Sequence, residues 1–392
     1  MTKKTILFTA IIFLIVPVLF AQTPGESILQ SYERIFVRSS LNTKVNVLSD
    51  AANDEAAAEF YGPLCEIALR FVLHNAALFR DDPDMISISV AAVRGVGDYA
   101  YTPASETVWQ TFLRFSDFVI RYEILEVLPV LDTISLTGKI NEFLVEQNRR
   151  HNLNVPPDYQ ILSSLFAILG KTGDESCYPV LFSSSLIYSG SLGDEAMNAM
   201  LEIPGDIYGF CMKVIFNNSP EEKLTAFKLA LSLEDLSEEQ KGELAETALE
   251  VALFIPFDRR NEILELTGTS IRLIREAGWV RSLPQVIKCY NQSLSAFRVS
   301  LSYKQLLIDV IDCLGTMKSA EAARALALQL GLYNSRLAEL EKEEHDVILA
   351  LIGALGQLAY KASYDGLYYA SILPYPDDII NAAQNALSEL KW

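Results

Sequence analysis

Histidine is scarce in this 392-residue chain, which holds only His74, His151 and His345. None stands in an H-E-x-x-H helix or in a Cys/His cluster, so no metal ligand set is recognisable. The five cysteines, Cys65, Cys177, Cys211, Cys289 and Cys313, are odd in number and form no C-x-x-C pair. Each lies in or beside an apolar pattern, where a cysteine behaves as a small hydrophobe, and buried thiols are expected rather than a disulfide framework. Positive charge is also short: 32 Lys and Arg stand against 50 Asp and Glu, a formal net charge of -18. Such a surface repels phosphate backbones and excludes nucleic acid as a partner. Beyond residue 20 no apolar run approaches the ~20 residues that span a membrane.

What is present begins at the N-terminus. Met1-Thr2-Lys3-Lys4 precedes an apolar run from Ile6 to Phe20, broken by Thr9 and Pro17, and then the small residue Ala21. A charged start, a short apolar core and a small residue describe an export signal, so residues 1–21 are expected to be cleaved after Ala21. The protein is then periplasmic or secreted. No cysteine lies near that junction, which removes lipid attachment there. Half of the residues are hydrophobic, enough to build a substantial core.

Internal repetition is the strongest pattern in the rest. Residues 162–187 align without a gap on residues 348–373, so that Leu162, Leu165, Phe166, Leu169 and Gly170 fall on Ile348, Leu351, Ile352, Leu355 and Gly356. Tyr178, Leu181 and Phe182 fall on Tyr364, Leu367 and Tyr368, and after one inserted residue Ala196 to Ile203 match Ala383 to Leu390. A third copy contains Leu307, Val310, Ile311, Leu314 and Gly315, and a fainter fourth contains Val93, Val96 and Gly97. Apolar residues three and four apart put one face of a helix inward. The glycine that closes each stripe suits a close approach or a left-handed cap. Pro374-Tyr375-Pro376-Asp377-Asp378 then stops one helix, and Asp377 is expected to cap the next.

The stretch ALIGALGQLAYKASYDGLYYASILPYPDDIINAAQNALSEL resembles the HEAT family of helical repeats and its short bacterial relatives. Like that family, it has an apolar helix ending in Leu-Gly, a short break, a second helix, and an Ala-Ala-x-x-Ala-Leu stretch after a Pro/Asp turn. The resemblance implies an all-α superhelical solenoid of helix pairs. It covers 160–205 and 301–390 clearly and 85–150 faintly. Segments 22–84, 206–300 and 301–392 are accordingly expected as an N-terminal helical cap, degenerate helical repeats and C-terminal repeats, around HEAT-like repeats in 85–205, all one continuous array.

Chemistry is harder to find. Gly170-Lys171-Thr172 lacks the earlier glycine of a phosphate loop, since Leu165 stands there. Gly190-Ser191-Leu192-Gly193 lacks nucleophile-elbow spacing, and Asp81-Asp82-Pro83-Asp84 reads as a helix start rather than a calcium loop. His74, between Phe71 and Leu78, is expected in the core. His345 is expected among acids that complement a helix dipole. Five tyrosines fall within residues 360–375. Tyr364 and Tyr368 match aromatic positions of the other copy and are expected in the core. Tyr360, Tyr369 and Tyr375 match Asp174, Ser183 and Ser189, so the repeat does not require them, and they are the candidate partner-binding residues. No catalytic residue, cofactor or metal is expected. The function expected is an exported scaffold holding a protein partner with a basic face. The alternatives are an envelope enzyme or small-ligand carrier with a site in a helical groove, and an assembly chaperone.

Overall fold

The computed structural model describes residues 24–79, 81–256, 260–337 and 344–390. The expected signal segment 1–21 lies outside them. Among the described residues all regular structure is helical, with twenty α-helices and no strand. None of these helices is long and apolar enough to cross a membrane. The chain divides into two compact units, one ending at Gly205 and the other beginning at Asp206.

The first unit contains α1 (Pro24–Arg38), α2 (Leu41–Ala52), α3 (Tyr61–Phe79), α4 (Pro83–Asp98), α5 (Ser105–Arg114), α6 (Phe118–Val127), α7 (Thr133–Asn152), α8 (Tyr159–Thr172), α9 (Tyr178–Ile187) and α10 (Ser191–Glu202). The second contains α11 (Ile207–Asn217), α12 (Pro220–Leu231), α13 (Glu238–Ala252), α14 (Asn261–Ala277), α15 (Leu283–Phe297), α16 (Lys304–Thr316), α17 (Ala320–Ser335), α18 (His345–Leu358), α19 (Tyr364–Ile372) and α20 (Asp377–Ser388). Within each unit the helices pack as consecutive pairs, α1 with α2 through α19 with α20, and every helix also packs on the helix two places further on. Odd-numbered helices therefore form one layer and even-numbered helices the other. This is the α–α solenoid arrangement, with the core between the layers.

Local chemistry explains where helices start. Asp82, Asp117, Asp132, Asp158 and Asp206 each accept a backbone N–H of the helix that follows, and Ser219 and Ser237 form complete capping boxes. At α20 the expectation was different from the outcome: Pro376 occupies the cap, while Asp377 and Asp378 lie in the first turn, where their charge suits the helix dipole.

The recurring glycines mark close approach and not caps. Gly170 on α8, Gly315 on α16 and Gly356 on α18 each face an alanine of the next even helix, Ala199, Ala354 and Ala386, and an added Cβ would lie 3.0–3.2 Å from it. The left-handed cap of α18 falls instead on Ala359, at φ 54°. Gly353, on the same helix, has no atom within 4 Å of an added Cβ. Gly353→Ala is expected to raise stability by about 0.5–1 kcal/mol in denaturant unfolding, because it only restricts the unfolded chain and improves helix propensity.

The two units share the same order of ten helices, and they share side-chain devices even in stretches where the sequence shows no repeat. Ser40 caps α2 and Ser219 caps α12; four residues on, Lys44 and Lys223 are buried. The Lys223 ammonium donates to the carbonyls of Ile215 (2.6 Å) and Phe216 (3.0 Å), at the end of α11. Lys44 makes the same pair of bonds to Phe36 and Val37, at the end of α1. Each lysine thus staples the first pair of its unit by satisfying carbonyls that a helix end leaves open.

The next pairs repeat a second device. Trp279 lies over Gly242 of α13 and donates from Nε1 to Glu246 Oε2 at 2.8 Å. In the first unit Tyr101 lies over Gly62 of α3, and burial together with the charge and hydrogen bond of Glu66 pushes its hydroxyl pKa up. An arginine joins each acid: Arg281 at 2.8 Å from Glu246 and Arg70 at 2.7 Å from Glu66.

Candidate functional site

All five cysteines are buried free thiols. Burial pushes Cys65, Cys211, Cys289 and Cys313 up to about 12, so they are thiols and not thiolates near neutral pH. His74 is exposed, contrary to expectation. The buried stripe of α3 is Cys65, Ala68, Leu69, Val72 and Ala76, one step round from the Phe71–His74–Leu78 line. A helix apolar on most sides gives no unique face from spacing alone.

His345 belongs to a ladder that ties the even helices of the second unit together. Lys228–Glu265 (2.7 Å) joins α12 to α14, Arg275–Asp312 (3.6 Å) joins α14 to α16, Lys304–Asp346 joins α16 to α18, and His345–Asp378 (2.8 Å) joins α18 to α20. The His345 hydrogen bond holds the Asp378 carboxyl below the usual carboxylate range. Positions corresponding to Lys304 and His345 in the first unit are Phe118 and Tyr159, which are 53% and 60% exposed. An ion-pair rung in one copy is thus an exposed aromatic in the other.

Large exposed apolar side chains of the second unit gather on its odd helices and their turns. They include Phe254 after α13, Leu328 and Leu332 on α17, and Tyr369 and Ile372 on α19. Two open clefts lie on this layer. One, of about 680 Å³, runs between α17 and α19, with Leu328, Leu332, Tyr369 and Leu373 among its walls. Its floor is made of Ala327, Gly331, Ala362 and Gly366. The second, of about 890 Å³, lies between the end of α13 and α15.

The three candidate tyrosines separate. Tyr369 is half-exposed on the wall of the α17/α19 cleft. Tyr360 donates its hydroxyl to the Lys318 carbonyl at 2.7 Å, linking two turns. Tyr375 is buried, its hydroxyl pushed up to about 12 by desolvation, and it donates to Asn334 Oδ1 at 3.1 Å. Asn334 in turn donates to the Gly366 carbonyl at 2.9 Å, so Tyr375 supports the cleft from behind. Tyr368, expected in the core like its counterpart Phe182, is instead 43% exposed and stacks on Tyr364 at 5.8 Å.

Comparison of the units reveals what the tyrosines alone do not. Gly331 and Gly366 occupy the positions of Val145 and Val180 in the first unit, in a register where the buried residues Leu326 and Leu330 match Ile140 and Leu144. Packing does not require either glycine: an added Cβ at Gly331 meets nothing within 4 Å, and one at Gly366 meets Leu330 at an ordinary 3.5 Å. A glycine in a helix interior costs about 1 kcal/mol relative to alanine. Gly331 lies in the interior of α17 and Gly366 in the first turn of α19, and together on one cleft floor they leave room for the close approach of another molecule.

No protein-family model matches the chain, and no characterised protein matches it either.

Proposed function

We propose that the protein is an exported scaffold with HEAT-like helix pairs, whose α17/α19 cleft seats an apolar helix of a protein partner. The observation that carries this reading is the pair of cleft-floor glycines, Gly331 and Gly366, which cost helix stability and serve no internal packing. A groove of small residues between two apolar walls matches helix-in-groove recognition, in which the incoming helix lays its apolar face on the floor. Among the described residues Asp365 is the one carboxylate lining the cleft, and no described histidine or cysteine accompanies it there, so these residues offer shape more than a proton-transfer pair. The net charge of -18 favours a partner segment with basic flanks.

Filling the floor tests the reading. Gly331→Leu with Gly366→Ala is expected to keep the fold and to improve stability by up to about 1 kcal/mol from helix propensity at Gly331. A photo-crosslinker placed at Tyr369 in the native cell envelope should give a discrete protein adduct, and the filled variant should lose it. An adduct pattern unchanged by filling would remove the cleft from partner binding.

A further inference from the structure

The second cleft has a different chemistry. Its walls are Phe254, Ile255, Ile287 and Val299, and its charged lining residue is Lys288. The lysine ammonium stands 4.6 Å over the ring of Phe254, a phenylalanine that is 74% exposed. Among the described residues Lys288 has no carboxylate partner, although acids outnumber bases by 50 to 32 in the chain. In the same unit Arg275 meets Asp312 and Arg281 meets Glu246. Gln292 commits one amide N–H to the Leu253 carbonyl, and Ser295 its hydroxyl to that of Asn291. Lys288 and Asn291 stand among the donors at the edge of an apolar trough.

We propose that this cleft binds a single-chain amphiphile with an anionic head, the chain lying along Phe254, Ile287 and Val299 and the head meeting Lys288. The volume of about 890 Å³ falls in the range of small-molecule sites. Charge complementarity selects the head group: an anion gives Lys288 a partner that no carboxylate among the described residues provides, and a cationic head is repelled. Asn291 adds a neutral donor to the same oxygen atoms. The site lies between α13 and α15, away from the α17/α19 cleft, so its occupancy and partner capture are separable properties.

Titration of the full-length mature protein with dodecanoate, dodecylammonium and dodecanol, each below its micelle concentration, tests the assignment. Dodecanoate is expected to bind one per chain and about tenfold or more tighter than either of the others, in the range of one charge-assisted contact. Lys288→Glu should weaken dodecanoate at least tenfold and reverse the preference towards dodecylammonium. Ser295→Trp, at an exposed position on the trough, should abolish binding of all three while leaving the unfolding midpoint unchanged. Equal affinity for the three head groups, or dodecanoate binding that survives both substitutions, would overturn the proposal.

Discussion

Gly242→Val should destabilise the protein by about 3 kcal/mol or more, the upper end of what overpacking costs. The reason is local and rigid. A Cβ at position 242 would fall inside the indole of Trp279, which lies flat on the backbone of α13. The indole cannot retreat without losing its 2.8 Å bond to Glu246, and the Arg281 guanidinium packed 4.7 Å from the ring would follow it. Measured by urea unfolding, the midpoint should fall with little change in slope. The interaction is testable as a cycle: in a Trp279→Ala background the same valine should cost less than about 1 kcal/mol, since the ring it displaces is gone. Equal costs in both backgrounds would place the strain elsewhere.

Lys223→Met is the second large effect expected, a loss of about 2–3 kcal/mol. Methionine fits the apolar stem of the lysine but leaves the Ile215 and Phe216 carbonyls without their donor, and unsatisfied buried acceptors carry that order of cost. The pH dependence separates this staple from simple packing. Burial lowers the Lys223 pKa from its ordinary 10.5, so the unfolded chain binds the proton more tightly than the folded one. Between the lowered value and 10.5 unfolding takes up a proton, and wild-type stability gains with rising pH relative to the variant. The gap between wild type and Lys223→Met should therefore widen as pH approaches that of free lysine. A gap independent of alkaline pH would mean that the amine is not desolvated.

Much of the fold is written in the sequence as periodicity. Residues 162–187 and 348–373 form helices with the same bounds, α8 on α18 and α9 on α19 to within one residue, because their apolar stripes and breaks are in register. The likeness of the two units is far less visible. It rests on a few side chains at scattered positions, Ser40 with Lys44, Gly62 with Glu66, and Tyr101, whose counterparts Ser219, Lys223, Gly242, Glu246 and Trp279 are separated from them by changing offsets. A Ser-x-x-x-Lys helix start and a Gly-x-x-x-Glu turn were the available signals. Each is too short to stand out without knowing that the lysine is buried and the glycine covered.

The candidate site was legible only in part. Excess tyrosine drew attention to α19 and the turns beside it, and Tyr369 lines the α17/α19 cleft. Tyr375 lies behind it because the Pro374–Pro376 turn folds its ring inward to reach Asn334. Spacing along a turn does not say which way a ring points. The clearer signal was an absence, two glycines where the other copy has valines, and it becomes informative only once packing shows that neither glycine is needed.

The stacking pattern also governs how these units come apart. Each odd helix leans on its even partner, and each helix on the next but one within its unit, so a pull on one end of a unit meets one helix pair at a time and never the whole core. Such a structure peels in steps. The interlayer staples at Lys44 and Lys223 sit in the opening pair of each unit and fasten the place where peeling from that end would start.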